Sequence, residues 1–167
     1  EEWLSQQYNQ SWRDMATIEG VEAGVFHRFH GKSLVWSPKD DWEAAGYESP
    51  TTWDELMALN QTIADDGDTP WCIGIESQAA TGWVATDWTE EMMLRTTSLE
   101  NYDAWVAGTL PFDSPEVKGA VEAWSELWFN DDFVFGGRSS IVSTYFGDSP
   151  GPMFEEPPKC WMHKQGN

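Results

Sequence analysis

The chain has 167 residues, enough for one domain with a core of its own. It carries 29 acidic residues against nine basic ones, a formal net charge of −20, and twelve tryptophans. That charge repels nucleic acid and anionic membrane surfaces and suits a neutral polyol or a cation as ligand, while so many aromatics exclude a disordered tail.

No apolar run approaches the roughly 20 residues of a membrane-spanning helix. The first ten residues lack the basic start and apolar stretch of a signal peptide, which leaves two readings. Either the protein is cytosolic, or its natural N-terminus lies upstream. Cys72 and Cys160 fit no metal-ligand spacing, and His27, His30 and His163 form no finger-like pattern with them. The two cysteines are either buried thiols or a disulfide, which needs an oxidising compartment.

In residues 1–15 the positions Trp3, Leu4, Tyr8, Trp12 and Met15 recur at spacings of about three and four, which predicts a helix. Gly20 to Gly24 ends it. Residues 25–29 are a short alternating run, and residues 33–36 read as a buried strand ended by Pro38. A short helix is expected over 40–45, closed by Gly46. Thr52 and Glu55 have the spacing of a capping box, opening a helix that carries Trp53, Leu56, Met57, Leu59 and Ile63.

Residues 71–75 read as a central strand that empties into a small polar loop, 76–82. Helices follow from Trp83 to Thr96, from Ser98 to Trp105, and after the Ser114-Pro115-Glu116 start signal. The last carries a stripe of Val117, Ala120, Val121, Trp124, Leu127 and Trp128 that should face a core. Gly136-Gly137 marks a tight turn or hinge. Residues 141–146 fit helix or strand equally, and 147–158 read as loop with a short strand at Met153-Phe154. Strands alternating with helices mean an α/β fold.

The run Lys32-Ser33-Leu34-Val35-Trp36-Ser37-Pro38-Lys39-Asp40-Asp41-Trp42 resembles the sugar-binding proteins of ABC importers. The likeness continues through Ala44-Ala45-Gly46-Tyr47 and Pro50-Thr51-Thr52-Trp53-Asp54-Glu55-Leu56, and it is most similar to the branch that binds α-glucosides and related oligosaccharides. Thr69-Pro70-Trp71-Cys72, Gly82-Trp83, Thr86-Asp87-Trp88 and Pro157-Pro158-Lys159-Cys160-Trp161 also look like that branch. One departure is Ser37, where relatives commonly have tyrosine.

The resemblance implies an α/β periplasmic-binding-protein-like (type II) lobe, incomplete, with helices packed on a small mixed sheet. It implies that residues 1–36 are a segment of the first lobe with a hinge strand, and that 37–167 are a truncated second lobe. The expected partners are a neutral sugar or oligosaccharide, the missing first lobe of the same protein, and ABC permease subunits in the membrane. The expected place is the periplasm or the cell exterior, with a lipid anchor as one means of attachment. No cofactor, no metal and no catalysis are expected.

A sugar offers an apolar C–H face to an aromatic ring, and hydroxyls to planar acceptors and donors. In open α/β sheets such ligands sit beyond the carboxyl ends of strands. The loop after residues 71–75 therefore supplies the first candidates, Glu76, Thr81, Trp83 and Asp87, of which Trp83 and Asp87 lie four apart on one helix face. By resemblance, Trp161 is the aromatic beneath the sugar, with His163 and Gln165 near it. Against each stands a structural role: Trp83 and Trp161 as core, Asp87 as a first-turn acid, His163 as a structural or surface histidine.

Two rivals are of other classes. A glycoside hydrolase needs a carboxylate pair such as Glu76 with Asp87 or Glu155 with Glu156, and 29 acids produce such pairs by chance. A stand-alone carbohydrate-binding module is usually a β-sandwich, which the helix signals at Thr52 and 117–128 oppose.

Overall fold

A computed structural model describes residues 2–167. It divides into two compact units, one formed by residues 2–31 with Asn167 and the other by residues 32–166. The divide falls at Gly31/Lys32, so residues 33–36 group with the larger unit.

In the smaller unit the helix expected over 1–15 is two helices, α1 (Glu2–Gln7) and α2 (Gln10–Met15), Glu1 lying outside the described residues. Asn9 makes the break: its side chain accepts from the Trp12 amide at 3.2 Å and so caps the second helix instead of continuing the first. A hairpin follows, β1 (Thr17–Ile18) against β2 (Val21–Glu22), turning at Glu19 and Gly20 with φ of 51° and 80°. Residues 25–29 form no strand. Phe26 and Phe29 instead pack on Trp12, with ring centroids at 5.3 and 5.7 Å.

The larger unit is helical around a small mixed sheet. Strand β3 (Val35–Trp36) pairs antiparallel with β4 (His163–Lys164). The segment leading into β4 bonds in parallel to residues 70–72, through Cys72 N to Met162 O at 2.9 Å and Met162 N to Pro70 O at 2.8 Å. On its other side Trp71 bonds in parallel to the chain around Val134, donating to Phe133 O and accepting from Phe135 N, each at 2.9 Å. Residues 71–75 are thus central, as expected, although regular pairing is limited to single bridges. The strand expected to be buried at 33–36 is instead exposed, Val35 at 49% and Trp36 at 45%. Its pairing partner β4 lies on one side of it, so it is an edge strand in this unit.

The helices begin where the start signals stand. Lys39–Ala45 (α3) closes on Gly46 in the left-handed conformation. Trp53–Asp65 (α4) opens with the full capping box: Thr52 Oγ1 accepts from the Glu55 amide at 3.2 Å, and Glu55 Oε2 accepts from the Thr52 amide at 3.1 Å. Trp83–Thr96 (α5), Leu99–Val106 (α6) and Pro115–Trp128 (α7) follow, the last two capped by Ser98 and Ser114. The expected strand at Met153-Phe154 is part of a 3-10 turn, Gly151–Phe154, because Pro150 and Pro152 fix a helical φ and Pro152 has no amide for a ladder.

The core is built of indoles. Trp71 meets Trp88 of α5, Trp88 meets Trp128 of α7, and Trp128 meets Trp124, all edge-on at centroid distances of 5.4, 6.0 and 4.8 Å. Two of these N–H groups find buried acceptors, Trp71 on Asn60 Oδ1 at 2.8 Å and Trp124 on Thr89 Oγ1 at 3.1 Å. Beside the core, Cys72 and Cys160 form a disulfide with a Cα–Cα distance of 5.5 Å. It ties the central segment to the chain entering β4.

Candidate functional site

The loop beyond the central segment is organised by its own polar groups. Glu76 Oε1 accepts from the Gln78 amide at 2.7 Å, and Thr81 Oγ1 accepts from the Ser77 amide at 3.0 Å while donating to the Gln78 carbonyl at 2.8 Å. Gly82 then hands the chain to α5, whose first residue is Trp83. One turn on, Asp87 shares the helix face with Trp83. Lys32 reaches both: its ammonium donates to Asp87 Oδ2 at 2.6 Å and lies 5.1 Å above the centre of the Trp83 ring.

Trp83 also meets Phe146 edge-on at 5.1 Å, and Phe146 meets Tyr145 at 4.7 Å. These aromatics are held at the end of the central segment by the backbone. Glu76 N donates to Thr144 O at 3.0 Å, and Phe146 N donates to Glu76 O at 3.1 Å. The Tyr145 ring is 44% exposed and lies across Gly147, where a Cβ would come within 2.7 Å of it. Glu76, Trp83 and Asp87 therefore gather with Lys32, Tyr145 and Phe146 at one end of the parallel bonding pattern, the end at which such folds bind ligands. A carboxylate has about four acceptor positions, so the bonds that Gln78 makes to Glu76 and Lys32 makes to Asp87 leave capacity for hydroxyls.

The structure places Trp161 and His163 elsewhere. Trp161 is 6% exposed, packed edge-on against Tyr47 at 5.1 Å and Trp42 at 6.5 Å, and its indole N–H is buried without a partner among the described residues. His163 is buried in β4, with Nδ1 donating to the Cys72 carbonyl at 2.9 Å and Nε2 3.1 Å from the Gln165 side-chain amide. Trp161 and Trp83 belong to separate ring clusters, so the two tryptophans are not brought together.

A groove of about 750 Å³ lies beside β3 and α5, lined by Trp42, Trp53, Trp71, Trp88, Leu56 and Met92, and by none of the six expected residues. Several of its polar groups hold one another. Glu91 accepts from Ser33 and Arg95, Thr51 and Thr52 bond Glu55, and Lys164 lies 5.3 Å over the Trp88 ring with a 3.4 Å bond to the Asp87 carbonyl. Burial pulls the Lys164 ammonium below the ordinary lysine value, with nearby Glu91 and Asp87 opposing it. Ser37 and Ser49 also line the groove, and the rest of the wall is largely indole, thioether and aliphatic surface.

The model of the bacterial extracellular solute-binding protein family matches residues 3–138. The chain belongs to that family. Members of this solute-binding family are binding components, not enzymes. The chain is similar, at 47% identity over 166 residues, to the osmoprotective compounds-binding protein GgtB of Synechocystis sp., covering 99% of this chain and 39% of that protein. It is 46% identical over 173 residues to the alpha-glucosides-binding periplasmic protein AglE of Rhizobium meliloti, covering 99% of this chain and 38% of the relative. It thus spans about two fifths of these relatives.

Among solved structures it superposes on the bacterial solute receptor AcbH, whose described preference is for β-D-galactopyranose, with a TM-score of 0.72 at 18% identity over 99% of this chain and 39% of that one. A chitin oligosaccharide binding protein matches at 0.64 and 16% identity over 80% of this chain and 31% of its own. At those identities the solute-binding likeness is one of fold: a partial α/β periplasmic-binding-protein-like fold, helix-rich with small sheets. The two-residue strands and the dominance of helix are not the build of a β-sandwich module.

Sequence reasoning did not single out Lys32, Tyr145 or Phe146. The signal for Lys32 is scarcity: nine basic residues face 29 acids, so a lysine beside the ligand loop is informative. The signal for Tyr145-Phe146-Gly147 is an aromatic pair followed by a residue that lets a ring lie on the backbone.

Proposed function

We propose that this chain is the second-lobe part of a two-lobed solute-binding protein that captures a neutral mono- or oligosaccharide outside the cytoplasmic membrane and delivers it to an ABC permease. The observation that carries this reading is the gathering of Trp83, Asp87 and Glu76 with the exposed Tyr145 ring at the ligand-binding end of the fold. Ring faces receive the C–H side of a sugar, and carboxylates accept its hydroxyls. The likeness to AglE, an alpha-glucosides-binding protein, supports a polyhydroxylated guest. The first lobe supplies the facing wall, and closure about the hinge buries the guest before docking on the permease. Trp161 and His163, buried against other partners, take structural roles in this reading. The protein works in the periplasm or at the outer cell surface, where a lipid anchor is one means of retention.

The test is titration calorimetry of the two-lobed protein with neutral α-glucosides, alongside an assay for released reducing sugar. Saturable binding with roughly micromolar Kd and no release is expected. Release of reducing sugar would instead mark a glycoside hydrolase.

A further inference from the structure

Lys32 is half-exposed, its side chain at 47%, whereas its partner Asp87 is at 17%. An exposed ion pair of this kind contributes little to folding, because water screens it and a long side chain must be ordered to form it. Yet Lys32 is placed where two different groups meet, with its ammonium on Asp87 Oδ2 and over the Trp83 ring at once. We propose that Lys32 is a positioning residue for sugar binding, holding the Trp83 ring and the Asp87 carboxylate in one fixed geometry; this rests on the sugar-binding reading of that surface.

A cation over one face of an indole restrains the ring's rotation, and the edge-on contact with Phe146 fixes it further. A charge-assisted bond to one carboxylate oxygen fixes the plane of the other. Lys164 also lies near Asp87, but its ammonium bonds the main-chain carbonyl, so Lys32 is the cation that holds the carboxylate itself. Ordering these groups before the guest arrives removes part of the entropy cost of binding.

The experiment is carried out on the two-lobed protein with a neutral α-glucoside, comparing Lys32→Met, Lys32→Arg, Trp83→Ala and Asp87→Asn by calorimetry. Lys32→Met is expected to weaken Kd roughly tenfold, equal to about 1.4 kcal/mol, with an unchanged thermal midpoint. Lys32→Arg, which can still pair and stack, should stay within about threefold of the parent. Asp87→Asn should weaken binding alone, and adding Lys32→Met to it should cost less than Lys32→Met costs the parent, since only the hold on Trp83 is then left to lose. Binding of an uncharged sugar should also weaken as salt rises from ~0.05 to ~1 M, because the Lys32–Asp87 pair is screened, and this dependence should vanish in Lys32→Met.

If Trp83→Ala and Asp87→Asn weaken binding while Lys32→Met binds as the parent, the positioning role is overturned and the site stands. If all four variants bind as the parent, the sugar surface lies elsewhere and the proposal falls with it.

Discussion

Tyr47 donates its phenolic proton to Asp66 Oδ2 at 3.0 Å, and its ring packs on Trp42 and Trp161. Burial first, then the bond to Asp66 and its charge, push Tyr47 from 10.0 up to about 12. A raised folded value means the contribution is whole below pH 10 and is lost as the pH climbs from there to about 12. Tyr47→Phe keeps the ring and removes the titration, so urea unfolding across that range should show a shallower alkaline decline than in the parent. The same scale explains which site residues could be read in advance. Trp83 and Asp87 are joined by the helix period, which a sequence displays. Lys32 and Asp87 stand 55 positions apart, and only the fold brings them within 2.6 Å.

Element α4 owes its start to reciprocal bonds. The Glu55 carboxylate accepts from Thr51 Oγ1 and the Thr51 amide, both at 2.7 Å, as well as from the Thr52 amide, and these bonds hold it below the usual carboxylate value. Thr52→Ala should cost about 1 kcal/mol of stability, measured by urea unfolding, with no change in sugar affinity. Caps were legible because one side chain and one backbone amide three residues apart decide them. The strands were less so. Residues 33–36 are apolar in pattern, yet Val35 and Trp36 lie on a sheet edge, and whether an edge is covered depends on chain far away in sequence. Residues 25–29 alternate as a strand does, yet Phe26 and Phe29 serve as ring partners for Trp12. Met153-Phe154 lost to proline, whose fixed φ outweighed β propensity.

Across the larger unit, the indole core and the Cys72–Cys160 disulfide bind the central segment to both its neighbours. The α7 stripe that the sequence displayed is buried at Val117, Ala120, Trp124, Leu127 and Trp128. The disulfide closes a separation of 88 residues, so replacing both cysteines by alanine should lower stability by about 4–5 kcal/mol in denaturant unfolding. Since Cys72 and Cys160 are buried, reductant should act on the folded chain far more slowly than on the unfolded one. The ligand surface gathers side chains from one unit, and in the proposed protein it meets a second wall on the other lobe. The most direct measurement is calorimetry of one neutral α-glucoside against residues 1–167 alone and against the two-lobed protein. The isolated chain should bind more weakly by about a hundredfold or more, since half of the guest's contacts are lost. Equal affinities would contradict the two-lobed reading.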